Sequence, residues 1–150
     1  MCGIVGFSGD LGSASLVKAA NELEHRGPDD NGTFYSSTKK IGLGHTRLSI
    51  IDLSSMGHQP MASSDASVVL VFNGEIYNFQ VLRLGLEEKG YIFKGSSDTE
   101  VVLNMYLEYG IDCLPKLNGI FGLAIFDCRS ENLFVARDAL GVKPVYYFAN

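Results

Sequence analysis

The chain has no tryptophan, four prolines and three cysteines in 150 residues. Cys2, Cys113 and Cys128 are an odd number with no C-x-x-C spacing, so neither a disulfide framework nor a zinc site is expected. His25, His45 and His58 show no ligand pairing, and no metal is expected. Positive charge is scarce as well. Twelve lysines and arginines against seventeen aspartates and glutamates give a net charge of −5, leaving no positive field to hold nucleic acid or an anionic membrane. The opening MCGIVGFSGD lacks a basic segment and is broken by Gly3, Gly6 and Gly9, so it reads as neither a signal peptide nor a membrane span. A cytoplasmic protein is expected.

What remains is a composition suited to one folded core, with 46% hydrophobic and 19% charged residues. Neither repeats nor low-complexity tracts interrupt it. Residues 3–8 read as a strand, and Ser13 is expected to cap a helix carrying Leu16, Ala19, Ala20 and Leu23. Arg26-Gly27-Pro28-Asp29-Asp30 reads as a turn, followed by strands over 32–36, 41–51 and 67–72. Asn78 is expected to cap a helix over 79–89 that Gly90 stops, with Tyr91-Ile92-Phe93 returning as a strand. Ser97-Asp98-Thr99-Glu100 matches a capping box and opens a helix over 98–109. Residues 120–127 and 133–137 form an expected hairpin, and Val145–Phe148 a last strand. An apolar strand so near the end leaves an edge to be covered, which points to a piece of a longer protein.

Cys2 carries the most chemistry. If Met1 is removed, the thiol and a free α-amine share one residue. An α-amino group has a pKa of about 7.7–8.0, low enough to be partly neutral near pH 7 and to take the thiol proton. Taken alone, Cys2 is equally readable as a small buried strand residue. Asn73-Gly74 after an apolar run is a hairpin-turn signal. Arg47 reads as an exposed strand charge, Asp98 as a partner of the helix dipole, and His45 as a satisfied strand histidine.

Seven blocks occur in order: Cys2-Gly3-Ile4-Val5-Gly6, Arg26-Gly27-Pro28-Asp29, His45-Thr46-Arg47-Leu48-Ser49-Ile50, Gln59-Pro60, Phe72-Asn73-Gly74-Glu75-Ile76-Tyr77-Asn78, Ser97-Asp98-Thr99-Glu100, and Ala136 through Pro144. Together they resemble the glutaminase domain of class II glutamine amidotransferases, a branch of the N-terminal nucleophile hydrolases, and within it the asparagine synthase (glutamine-hydrolysing) type. The resemblance covers essentially all 150 residues. It implies an α+β fold, a four-layer αββα sandwich of two antiparallel sheets flanked by helices and truncated at its C-terminal end. Residues 1–150 would be the glutaminase domain of a longer protein whose ATP-dependent synthetase domain is absent.

The resemblance also implies roles. Cys2 would form a thioester with the side-chain carbonyl of L-glutamine, and Asn73 and Gly74 would supply the oxyanion hole, a site a turn could equally build. Arg47 would clamp the substrate α-carboxylate, Asp98 its α-ammonium, and Glu75 and the backbone of Leu48, Ser49, Ile50 and Ile51 would line the pocket. Arg26 and Asp29 would border the nucleophile, and Arg137-Asp138 would serve structure. No cofactor is implied in this domain, whereas ATP and Mg²⁺ belong to the synthetase part. Aspartate is the acceptor carried over by resemblance. Alternatives are a sugar carboxylate in a surface-polysaccharide pathway and a glucosamine-6-phosphate synthase type, whose usual Tyr in place of Pro28 argues against it. A retained Met1 would leave an inert glutamine-binding module. A homodimer is left open.

Overall fold

The computed structural model describes residues 2–149; Met1, whose removal the sequence reading requires, lies outside them. Strand β1 (Gly3–Ser8) pairs antiparallel with β3 (Ile41–Arg47), which pairs on its other side with β2 (Asp30–Ser36). Every residue of β3 is buried, as a central strand covered on both faces must be. Its alternation explains how. Ile41 and Leu43 face the second sheet, while Gly42 and Gly44 lie under helix α1 (Gly12–Asn21), where Phe7 and Val5 of β1, backed by the buried Leu16 and Ala20 of the helix, occupy the space side chains would need.

The second sheet runs β4 (Met61–Ala62), β5 (Val68–Ile76), β6 (Gly119–Asp127) and β7 (Asn132–Arg137), all antiparallel. Val69 and Val71 of β5 and Ala124 and Phe126 of β6 meet Ile41 and Leu43 between the sheets. The opposite faces, Leu70, Phe72, Leu123 and Ile125, pack under helix α3 (Asp98–Tyr109) through Val101, Val102, Met105 and Tyr106. Helix α2 (Phe79–Glu87) lies beside α3 and buries Leu86. The layers are therefore α1, first sheet, second sheet, and α2 with α3: the expected αββα sandwich.

Local expectations were corrected where long-range partners decided the outcome. Asn73-Gly74 is no turn: β5 runs through both, pairing Asn73 with Gly122 and Gly74 with Phe121. Strand β3 stops at Arg47 because the Ser49 N–H is taken by the Asp29 carboxylate at 2.8 Å. Tyr91–Phe93 forms no strand. The Gly90 and Tyr91 N–H groups close α2 in a Schellman pattern on the Glu87 and Leu86 carbonyls, and Ile92 is exposed. Residues 145–148 pair with no strand among the described residues, and Tyr146, Tyr147 and Phe148 are exposed.

Helix caps differ from expectation too. Ser13 caps nothing, since α1 begins at Gly12 after Leu11 without a side-chain cap. Asn78 spans to the Lys116 carbonyl and the Asn118 N–H instead of capping α2. Ser97 does cap α3, accepting from the Glu100 N–H at 3.2 Å, but Glu100 turns its carboxylate to the N–H groups of Lys94 and Gly95.

Candidate active site

Cys2 sits one residue before the Gly3–Thr46 pair, at the end of the first sheet where β3 delivers Arg47. Its sulfur is held by the residue after Arg47: the Leu48 N–H donates to Sγ at 3.5 Å, and the thiol faces the Leu48 carbonyl at 3.7 Å. The Arg26–Asp29 turn packs directly beneath. A Cβ on Gly27 would come 2.5 Å from the Arg47 carbonyl carbon, and the Asp29 N–H donates to the Arg47 carbonyl at 3.0 Å.

One hollow is lined by Cys2, Arg47, Leu48, Ile50, Ile51, Asn73, Gly74, Glu75 and Asp98. Of the expected site residues only Ser49 does not line it, its N–H being tied to Asp29. The hollow has further walls that sequence reasoning did not assign: Asp52, Gly57, Gln59, Phe72, Ser97, Thr99, Ile120 and Lys143. Gln59, Phe72, Ser97, Thr99 and Lys143 fall inside the quoted blocks, a signal that could have found them.

Strand pairing fixes how Asn73 and Gly74 are presented. Antiparallel pairs alternate between hydrogen-bonded and non-bonded. The Phe72 and Ile76 N–H groups point away from β6, donating to the Gln59 Oε1 at 2.6 Å and the Asp98 Oδ2 at 3.0 Å. Gly74 lies between them and has the same parity, so its N–H leaves β5 on that edge, toward the hollow. The Asn73 side chain shares the face of Val69 and Val71, which looks across at the first sheet and Cys2. Glycine is required at 74. A Cβ there would lie 2.3 Å from the Ile120 carbonyl oxygen and 2.6 Å from the Phe121 Cα.

Arg47 is not the exposed charge that isolated reading suggests; it is 8% exposed. Its Nη1 donates to the Ser54 carbonyl at 2.9 Å and its Nη2 to the Asp52 carbonyl, so the 48–57 loop wraps the guanidinium. Asp98 likewise does not point outward from its helix. It is buried, and burial raises its carboxyl pKa above the usual carboxylate range against the opposing Ile76 and Thr99 backbone hydrogen bonds, with the Glu75 charge adding to the rise. A cation placed beside it would relieve that cost.

The other cysteines lie outside this hollow. Cys113 is buried and its thiol is pushed up to about 11 by that burial, which keeps it protonated. Among the described residues no group of three or more His, Cys, Asp or Glu side chains is arranged to hold a metal ion. No helix of the described residues is long and apolar enough to cross a membrane.

His45 departs from the satisfied histidine that was expected. The ring is 1% exposed and neither nitrogen has a hydrogen-bond partner. Burial pulls its pKa down to about 4, offset in part by the Asp30 charge. The unfolded chain therefore binds this proton first as pH falls. Stability tied to the neutral ring is fully present above the unfolded value of about 6.5 and is lost progressively down to the folded value of about 4. Over that window the loss amounts to about 3 kcal/mol. Denaturant melts at pH 7 and pH 4.5 should show wild type losing roughly 2–3 kcal/mol more than His45→Gln. Equal losses would remove His45 as the cause.

The family model described as a glutamine amidotransferase domain matches residues 1–150. A putative glutamine-hydrolyzing asparagine synthetase of Methanocaldococcus jannaschii is 40% identical over 168 residues, covering 99% of this chain and 32% of the relative. Asparagine synthetase 1 of Bacillus subtilis is 42% identical over 154 residues, covering 98% of this chain and 24% of the relative. The amidase chry2 of Gibberella zeae is 36% identical over 161 residues, covering 98% and 24%. The chain thus spans about a quarter to a third of the length of these curated relatives. Among solved structures, the glutamine phosphoribosylpyrophosphate amidotransferase of B. subtilis, complexed with ADP and GMP, superposes with a TM-score of 0.75 at 22% identity. That match covers 92% of this chain and 37% of the other, and it establishes the N-terminal nucleophile hydrolase fold. Matched by the family model along its whole length, the chain belongs to the glutamine amidotransferase domain family.

Proposed function

We propose that this domain hydrolyses L-glutamine to glutamate and ammonia through a thioester on Cys2. The observation that carries the reading is the convergence of a thiol, an arginine, an inward-facing backbone N–H with a neighbouring asparagine, and a buried carboxylate on one hollow. With residue 2 at the N-terminus, the thiol proton passes to its α-amine and the sulfur attacks the side-chain carbonyl of glutamine. Charge develops on the carbonyl oxygen, where the Gly74 N–H and the Asn73 amide receive it. The carbon–nitrogen bond breaks, the α-ammonium returns its proton to the departing nitrogen, and ammonia leaves. Water then attacks the thioester and releases glutamate. Arg47 and Asp98 hold the α-carboxylate and α-ammonium, an assignment favoured by the opposite charges the fold spends on two walls of one pocket.

We further propose that a synthetase part outside these residues uses ATP and Mg²⁺ to activate a carboxylate; relatives named as glutamine-hydrolyzing asparagine synthetases, three to four times this chain's length, favour aspartate as the acceptor.

The test is glutamine turnover alongside intact mass. Equimolar glutamate and ammonia from protein one methionine short of the encoded mass is the expected result. A protein that keeps Met1 and binds glutamine without turnover would establish the inert binding module instead.

A further inference from the structure

Asp52 has no expected role, yet it is buried and its carboxylate makes four hydrogen bonds. Oδ1 accepts from the Ser54 N–H at 2.8 Å and the Ser54 hydroxyl at 2.6 Å. Oδ2 accepts from the Ser96 N–H at 2.9 Å and the Ser96 hydroxyl at 3.2 Å. The first pair fixes the turn whose carbonyls, those of Asp52 and Ser54, grip the Arg47 guanidinium. The second pair reaches the segment leading into α3, where Ser97 caps the helix and Asp98 is its first residue. That segment is in turn fastened to α3, since Glu100 takes the Lys94 and Gly95 N–H groups at 2.8 Å each. Arg47 belongs to the first sheet and Asp98 to the outer helix layer, so their separation is not set by any one element.

We infer that Asp52 is a positioning residue: a strut between the loop that grips Arg47 and the segment that delivers Asp98, setting the span over which the two ends of an α-amino acid are held. This rests on the reading of Arg47 and Asp98 as the contacts for the substrate α-carboxylate and α-ammonium. Two opposite charges fixed at one separation select a zwitterionic α-amino acid over a molecule with only one of the two groups. Asp52 touches no reacting atom in this scheme, so its loss acts on recognition. Its pKa, lowered to about 2 chiefly by the Ser54 hydroxyl and the Ser96 N–H, keeps the strut ionised at any working pH.

The test compares wild type, Asp52→Asn and Ser96→Ala in the intact protein. An amide in place of the carboxylate cannot accept on its nitrogen, so one arm is lost; Ser96→Ala removes a single hydroxyl and is the gentler variant. Asp52→Asn should raise KM for L-glutamine by about 10–100-fold with kcat within about threefold, and Ser96→Ala should raise it by about 2–5-fold. The preference for L-glutamine over glutaramate, which lacks the α-amine, should shrink by the same factor as KM rises. Titration calorimetry with L-glutamate on the same proteins reads the span without turnover and should weaken in parallel. A merely structural defect would lower the active fraction, and hence apparent kcat, for both substrates equally. The inference is overturned if Asp52→Asn keeps wild-type KM, preference and glutamate affinity; should that variant not fold, a wild-type preference in Ser96→Ala overturns it. Absence of turnover in wild type with intact glutamate binding would sink the proposed reaction and leave the strut to be judged by calorimetry.

Discussion

Cys2→Ala should abolish glutamine hydrolysis, lowering kcat by on the order of 10⁴-fold or more while glutamine still binds. The methyl group replaces only the sulfur, and the walls contributed by Arg47, Asn73 and Asp98 do not depend on it for their hydrogen bonds. Folding should be nearly unaffected, because Cys2 is only half-buried and its sulfur contacts are two long ones to Leu48. Cys113→Ala and Cys128→Ala should leave turnover intact, since neither residue lines the hollow. The measurement is initial-rate glutamate release on protein shown by mass to lack Met1. Turnover at wild-type rate in Cys2→Ala would mean that the nucleophile is elsewhere.

The second large effect falls on the carbonyl oxygen. Asn73→Ala removes one donor that is called on only as charge develops, so kcat should fall by roughly 10²–10³-fold, equivalent to about 2.7–4 kcal/mol, with KM little changed. A ground-state contact would give the opposite split, a raised KM at constant kcat. The Gly74 N–H cannot be removed by a side-chain change, and any larger residue at 74 collides with β6. Asn73→Asp is therefore the informative companion. It keeps the shape, replaces the donor with an acceptor, and should be at least as slow as alanine. Rates for Asn73→Ala within a few-fold of wild type would exclude the asparagine from the oxyanion hole.

The sequence carried the ends of this site better than its middle. Cys2, Arg47 and Asp98 lie in blocks whose order is recognisable as a whole, and Ser97 announced α3 by a purely local rule. Asn73-Gly74 misled the local rule because turn propensity is a preference of two residues. Here it is overridden by a nine-residue partner, β6, that pairs with β5 along its whole length. That same pairing aims the Gly74 N–H outward, so the feature that defeated the turn reading is the one that builds the donor. His45 shares the face of Ile41 and Leu43 in a strand buried on both faces, and a period-2 pattern gives no hint that its ring would be left without a partner. Asp52 was illegible for another reason. Its partner Ser96 is 44 residues away, and no spacing rule joins a loop after one strand to the entrance of a helix in a different layer. Tyr91–Phe93 and Val145–Phe148 had strand composition, but composition does not supply a pairing partner, and among the described residues neither segment pairs with the open edges of either sheet.

The central claim is that Cys2, as the first residue of the mature chain, attacks the side-chain carbon of glutamine held in this hollow. A glutamine analogue with a chloromethyl ketone in place of its amide tests it most directly, followed by peptide mapping. One equivalent should attach to Cys2, on a peptide that begins with that cysteine, with labelling slowed by L-glutamine and turnover lost in proportion. A label on Cys113 or Cys128, or a fully active protein that carries none on Cys2, would contradict the account.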